Sequence, residues 1–312
     1  MAGVGIYSRW NRNRQVVVHS GDNRALLSSV APGAIQLIIS SPPYNVGKEY
    51  ERRSSIDEYV ENQRQVISAC VPLLAEGGSI CWQVGNHVTN RGEVVPLDAI
   101  LYPLFKEQGL VLRNRIIWHF GHGLHARRRF SGRYETALWF TRDVDDYVFN
   151  LDAVRVPQKY PGKRAYKGPN VGQYSGHPGG KNPSDYWGFD LEQDDPGDIW
   201  GIPNVKANHV EKTEHPCQFP VALVTRFVRA LSLPDDWVLD PYMGAGTALC
   251  AAVMEGRRAA GAEMDPSYVS IAKRRIRQAL AGELPHRPLE REVYSPTPGS
   301  PLTIRTDHAG PR

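Results

Sequence analysis

Cysteine is scarce. The chain has Cys70, Cys81, Cys217 and Cys250, with no Cys-x-x-Cys pair and no spacing that suggests a disulfide framework or a zinc site. A reducing cytoplasm is the expected setting. Long hydrophobic runs are also missing. The longest small, apolar stretch, Ala245 to Met254, is too short to cross a bilayer. The first residues, MAGVGIYSRWNRNR, have no apolar signal-peptide core. Nor is there a large excess of one charge. A net charge of +4 over 312 residues excludes a uniformly basic coat, so a nucleic-acid surface has to come from local clustering. No internal repeat is visible.

What is there is an alternation of short apolar runs with helix-length segments, the pattern of a mainly parallel α/β sheet covered on both faces. QVVVH (15–19), IQLIIS (35–40) and SICWQVG (79–85) read as strands. Helices are expected over 22–30, 56–74 and 97–108, the last ended by Gly109. No helix separates VLRNRIIWHF from RYETALWFT, which predicts an antiparallel pair. Residues 146–205 are rich in Gly, Pro, Tyr and Lys and show no sustained period, so they read as a loop-rich insertion. Beyond them a helix is expected over 216–231, then a strand-turn-helix at WVLDPYMGAGT, a strand at RRAAGAEM and a helix over 266–280. The Pro-rich residues 282–312 read as a disordered tail. The expected division is 11–145, 146–205 and 206–281, the first and last being halves of one domain.

Two stretches carry chemistry. In the first, the apolar run Ile35–Ile39 stops at Ser40-Ser41-Pro42-Pro43-Tyr44. Two adjacent prolines have no backbone N–H and cannot continue a ladder. The strand therefore ends in a stiff turn with a hydroxyl on one side and a ring on the other. In the second, a strand runs into Asp240, Gly244 and Gly246 permit a tight turn, and a second strand ends at Glu263. Glycines let a ligand approach the backbone, and an acid about 20 residues on suits ribose hydroxyls. Alone, this fits a dinucleotide or another adenosine cofactor equally.

Together the stretches resemble the S-adenosylmethionine-dependent amino-methyltransferases of DNA. In that family a DPPY or SPPY tetrapeptide follows one strand and an FxGxG-like loop follows another. The order found here, Ser41-Pro42-Pro43-Tyr44 before Tyr242-Met243-Gly244-Ala245-Gly246, is that of its β class. Gly21-Asp22-Asn23 looks like the family's acidic contact to adenine, and His215-Pro216-Cys217-Gln218-Phe219-Pro220 resembles its HPTQKP helix start. Cys217 and Phe219 depart from the usual Thr and Lys, and Met243 from the common residue before the first glycine.

The resemblance implies a circularly permuted, Rossmann-like methyltransferase fold in a prokaryotic, cytoplasmic, DNA-associated protein. Its implied cofactor set is Asp22, Asn23, Ser40, His215, Cys217, Gln218, Phe219, Asp240, Pro241, Tyr242, Gly244, Gly246, Thr247, Glu263, Met264 and Asp265. In the implied catalytic set, Ser41 and the carbonyl of Pro42 hold an exocyclic amino group, Pro43 stiffens the turn, and Tyr44 stacks on an extruded base. Serine rather than aspartate at position 41 implies cytosine N4, with adenine N6 as the alternative. The implied role is host protection beside a separate restriction endonuclease, by a monomer or homodimer.

The expected partner is duplex DNA with a specific short site. From 113 to 133 there are six arginines and no acid: Arg113, Arg115, Arg127, Arg128, Arg129 and Arg133. A basic loop between strands would suit phosphates. The insertion adds Lys159, Lys163, Arg164, Lys167 and Lys181, where the β class has its target-recognition region. Rival readings fare worse. A Pro216-Cys217 thiolate attacking cytosine C5 would leave SPPY unused. A metal at His119, His122 and His125 has no Cys or acid near it before Glu135, so no metal is expected. A dinucleotide oxidoreductase would explain neither SPPY nor the arginines, and a decayed DNA-binding protein would not be expected to keep both motifs intact.

Overall fold

The computed structural model describes residues 5–45, 54–120, 125–158, 160–188, 202–206 and 208–289. His122, Lys159, residues 189–201 and the tail from 290 lie outside the described residues.

The elements in chain order are β1 (Ile6–Tyr7), β2 (Val16–Ser20), α1 (Asn23–Ser29), β3 (Ile35–Ser40), α2 (Ile56–Cys70), β4 (Leu74–Val84), β5 (Asn86–Val88), β6 (Val94–Pro96), α3 (Leu97–Glu107), β7 (Val111–His119), β8 (Tyr134–Thr141), β9 (Tyr186–Trp187), α4 (Val221–Leu231), β10 (Trp237–Asp240), α5 (Thr247–Met254), β11 (Arg258–Glu263) and α6 (Pro266–Ala281). Among the described residues nine strands form one sheet in the order β1-β2-β11-β10-β3-β4-β8-β7-β9. Only β8 runs against its neighbours: β7 pairs with it antiparallel, as expected, and so does β4 on its other side.

The central strands are buried on both faces, which is why they read as unbroken apolar runs. Val16, Val18, Leu37, Ile39 and Val238 join the core under α4, α5 and α6. Val17, Ile38, Leu239, Ala260 and Ala262 join the core under α1, α2 and α3. The helices follow local rules. Ser55 caps α2 by accepting from Glu58 N–H, and Asp265 caps α6 by accepting from Ser267 N–H. In α2 the buried set Tyr59, Gln63, Val66, Ile67 and Cys70 keeps one helical stripe. Small residues on β11 bring α5 close: a Cβ on Gly261 would sit 2.8 Å from Leu249 and 2.9 Å from Met243.

Two expectations need correction. The helix predicted from Pro216 begins at Val221. Its first N–H is satisfied by the Glu211 carboxylate (2.9 Å), and Pro216 and Pro220 keep the residues before it out of the helix. The predicted disordered tail is packed as far as Leu289, with Leu284 and Leu289 in the core and Arg287 N–H donating to Glu211. The insertion is loop-rich but tied to the sheet. β9 pairs with β7 at Ile117 and Trp118, and Trp118 donates its indole N–H to Ile202 O (2.8 Å). Within it, 163–175 fold back on themselves through Ala165–Gln173 and Lys163–Ser175 backbone bonds.

Candidate active site

Parallel pairing aligns the carboxyl ends of β2, β3, β10 and β11 along one rim, the edge where open α/β sheets bind ligands. Because β8 is antiparallel, its amino end reaches the same rim, Thr136 lying opposite Val84. A cavity of about 430 Å³ opens there, within the size of a small-molecule site.

At the end of β3 the side chains alternate. Ser40 turns inward and its hydroxyl donates to Asp240 Oδ1 at 2.6 Å, an oxygen that also accepts from Tyr242 N–H at 3.0 Å. Both residues are completely buried, and burial pushes the Asp240 carboxyl up to about 7. They tie two neighbouring strands together and are absent from the cavity wall, contrary to their expected role as cofactor contacts. The residues that follow them, Ser41 and Pro241, do line the cavity. Gly246 and Asp265 are likewise off the wall. Gly246 (φ 76°) lets α5 start against Ala272, 2.9 Å from where its Cβ would be, and Asp265 is the α6 cap.

One end of the cavity is built by the turn after β3. Ser41, Pro42, Pro43 and Tyr44 line it together with Gln83, Trp118 and Glu135. The Tyr44 hydroxyl lies 3.0 Å from Ser41 Oγ and donates to Glu135 Oε2 at 3.2 Å. The Gln83 amide donates to both the Tyr44 oxygen (3.3 Å) and Glu135 Oε2. Burial raises the Tyr44 hydroxyl far above its ordinary value and the Glu135 carboxyl to about 7. A Cβ on Gly85 would approach the Tyr44 ring to 3.1 Å, so that glycine makes room for it. Glu135 and Gln83 carry no sequence motif and were not among the predicted site residues.

The other end holds Asp22, Asn23, His215, Cys217, Gln218, Phe219, Tyr242, Gly244, Thr247, Glu263 and Met264. Gly244 (φ 48°) donates its N–H to Glu263 Oε2 (3.1 Å), and Asp265 N–H donates to Oε1 (2.8 Å). Burial raises the Glu263 carboxyl. A side chain on Gly244 would meet His215 Nε2 at 2.8 Å. His215 packs edge-on against Tyr268, with ring centroids 4.5 Å apart, and burial lowers its pKa to about 4, so it is neutral. The Asp22 carboxylate caps α1 and binds Arg24 at 2.6 Å; that hydrogen bond holds it below the usual carboxylate range. The Gln218 amide is spent on ordering its own segment, accepting from Thr213 (2.9 Å) and donating to Glu211 O (2.8 Å). Cys217 is an exposed free thiol.

The predicted basic residues divide. Arg127, Arg128 and Arg129 are exposed between the rim ends of β7 and β8. Beside them Phe130 is 99% exposed. Arg133 lies 3.4 Å from His125 Nδ1. Arg113 and Arg115 are on β7 rather than in the loop. Arg113 bonds to the Tyr147 hydroxyl (3.0 Å) and lies over its ring, near the end of β7 opposite the rim. Arg115 pairs with Asp98. In the insertion Lys163 and Lys167 are exposed. Arg164 is occupied by the Tyr174 ring at 4.3 Å and Gly172 O, and Lys181 pairs its backbone with Val156. Among the described residues no cluster of His, Cys, Asp or Glu could hold a metal, and no helix is long and apolar enough to cross a membrane.

Residues 35–274 match the DNA methylase family of N6 and N4 enzymes. The chain belongs to that family. It is 41% identical over 266 residues to the type II methyltransferase M.BglII of Bacillus subtilis, covering 85% of this chain and 69% of that one. It is 35% identical to the type II methyltransferase M.ScaI of Streptomyces caespitosus, covering 84% and 81%, and 30% identical to the DNA adenine methyltransferase YhdJ of Escherichia coli, covering 86% and 85%. Its fold matches TTHA0409 of Thermus thermophilus complexed with S-adenosyl-L-methionine, with a TM-score of 0.58, 25% identity and coverage of 85% and 96%. It also matches the PvuII DNA methyltransferase, with a TM-score of 0.62 at 21% identity and coverage of 84% and 85%.

The enzyme is thus an S-adenosylmethionine-dependent DNA methyltransferase. The cavity suits that cofactor: it has an open backbone cradle at Gly244, where a Cβ would collide with His215, and acidic groups at the ends of neighbouring strands. Bound there, the cofactor supplies an electrophilic methyl group. Pro42 and Pro43 fix the turn, Ser41 offers a hydroxyl beside the cavity, and Tyr44 offers a ring held by three polar partners.

Proposed function

We propose that the enzyme methylates the N4 amino group of cytosine at a specific duplex site, by extruding the base and transferring the methyl directly, and that it protects host DNA in a restriction-modification system. The observation that carries the choice of base is Ser41, a neutral hydroxyl on the cavity wall 3.0 Å from the Tyr44 hydroxyl. The lone pair of an exocyclic amine is delocalised into its ring, so attack requires the nitrogen to pyramidalise. A hydroxyl both accepts and donates and can follow that change, whereas an ionised aspartate could only accept. The stiff turn keeps the alignment. The names of M.BglII and M.ScaI as type II methyltransferases support the restriction-modification role.

The cofactor is placed by Asp22, Asn23, His215, Cys217, Phe219, Pro241, Tyr242, Gly244, Thr247, Glu263 and Met264. Phosphates are met by Arg127, Arg128, Arg129 and Arg133, and by Lys163 and Lys167 of the insertion, which reads the site. A second reading, adenine N6, is favoured by the 30% identity to a DNA adenine methyltransferase. Digesting methylated DNA to nucleosides and separating them by mass decides the matter. N4-methylcytosine is the expected product; N6-methyladenine as the main one would mean that Ser41 does not report the base.

A further inference from the structure

We propose that Glu135 is the terminal acceptor of a proton relay that runs from the target amino group through Ser41 Oγ and the Tyr44 hydroxyl. The inference rests on the amino-methyltransferase reading with Ser41 at the amino group, and holds for either base.

The path consists of contacts already described: Ser41 Oγ to Tyr44 O at 3.0 Å, then Tyr44 O–H to Glu135 Oε2 at 3.2 Å. Once the amino nitrogen has bonded to the methyl carbon, the carbon–sulfur bond of the donor having broken with its electron pair left on the neutral thioether, the nitrogen carries a positive charge and a surplus proton. That N–H proton passes to Ser41 Oγ as the serine proton passes to the Tyr44 oxygen and the tyrosine proton to Glu135 Oε2. Each hydroxyl ends with the number of protons it began with, the amine becomes neutral, and the carboxylate becomes a carboxylic acid. Release of that proton to solvent resets the site.

A structural role alone does not account for a carboxyl at this position. A neutral glutamine could also accept from Tyr44, without the cost of burying a charge. The carboxyl sits on a rim strand beside Gln83, whose amide donates to it and to the Tyr44 oxygen. That amide keeps the carboxyl aimed at the phenol and offers it no proton acceptor. The other titratable or charged groups around the relay are Cys217, which faces Tyr44 from the segment before α4, and His119 and Arg133 at the rim ends of β7 and β8. Burial brings the Glu135 carboxyl to about 7, where a substantial share is ionised at neutral pH and that share is basic enough to take a proton.

The test is the single-turnover rate of methyl transfer with saturating DNA and cofactor, followed from about pH 5 to 9. In the wild type the rate should rise through one ionisation near neutrality and level off. Glu135→Gln should lose that limb and fall by about a hundredfold, with cofactor affinity unchanged. Tyr44→Phe keeps the ring and breaks the relay one step earlier, so it should lose the same limb. The double variant should be no slower than the worse single one, since both remove one path. Tyr44→Phe also serves if Glu135→Gln does not fold. A neutral limb that persists in either folded variant, or a rate within about twofold of wild type, overturns the relay. A product that is N6-methyladenine overturns the base assignment alone, because the pH limb is read on whichever base is methylated.

Discussion

Ser40 Oγ donates to Asp240 Oδ1 across 2.6 Å, joining the last residues of β3 and β10, from which the two motif turns depart. The bond couples the turn proposed to hold the amino group to the turn proposed to hold the cofactor. Both residues are sealed from solvent, so the carboxyl cannot relieve its burial by meeting water.

This has a measurable consequence. The Asp240 carboxyl is raised from 3.8 to about 7 on folding, so the native state holds a proton that the unfolded chain gives up. Its contribution to stability is therefore fully present below about 3.8 and is lost as pH rises towards 7. Asp240→Asn keeps an oxygen for Ser40 and Tyr242 N–H and cannot ionise. Thermal melts at about pH 5 and 8 should show that the variant loses less stability over this interval than the wild type, with a difference on the order of a few kcal/mol. Equal losses in the two proteins would remove Asp240 as the source.

The exposed arginines supply a second expectation. Arg127, Arg128 and Arg129 project from the loop between β7 and β8 at the rim of the cavity. Replacing all three with Ala should weaken binding to every duplex sequence alike. It should also reduce the slope of log affinity against log salt by roughly 2 to 3, as three lost phosphate contacts require. Arg113→Ala, in contrast, should leave the salt slope unchanged and lower stability, because its guanidinium packs on Tyr147 at the other end of the strand. A flat response of the triple variant in a salt titration would return this loop to ordinary solvated surface.

That contrast shows what was legible in the sequence and what was not. SPPY and the glycine loop are local signals, because prolines and glycines restrict or free their own backbone wherever they lie. The alternation of strands and helices followed from equally local patterns. Glu135 gave no such signal. It reaches the cavity only because β8 turns back antiparallel to β4, placing it near Gln83, which is 52 residues away in the chain. Ser40 and Asp240 were misread for the opposite reason. They sit beside the right motifs, but strand alternation turns them into the core and leaves Ser41 and Pro241 on the wall. The arginines read as one cluster because sequence spacing cannot tell the two ends of a strand apart.

Cys217 separates two chemistries. It is exposed and lines the cavity, the placement a nucleophilic thiol would need for attack on cytosine C5. Direct transfer to an amino group requires no thiolate. Cys217→Ser should therefore retain turnover within about twofold, and no covalent adduct should form between the wild-type protein and DNA. Loss of activity in a folded variant, together with such an adduct in the wild type, would favour the C5 mechanism.

The last expectation concerns Glu263. Its two oxygens accept from the N–H groups of Gly244 and Asp265, so the carboxylate holds the glycine turn in place before any ligand arrives. The same oxygens lie on the cavity wall, where the ribose of the cofactor would meet them. Glu263→Ala removes both contributions: acceptors for the hydroxyls, and the clamp that keeps Gly244 open beside His215. Affinity for S-adenosylmethionine should fall by about 1–3 kcal/mol in calorimetry. Asp265→Ala gives the control, since it disrupts the α6 cap beside the clamp without removing a group from the cavity wall. It should lower thermal stability by about 1 kcal/mol and change cofactor affinity much less. If the two variants lost affinity equally, the role of Glu263 would be that of a turn support and not of a ribose contact.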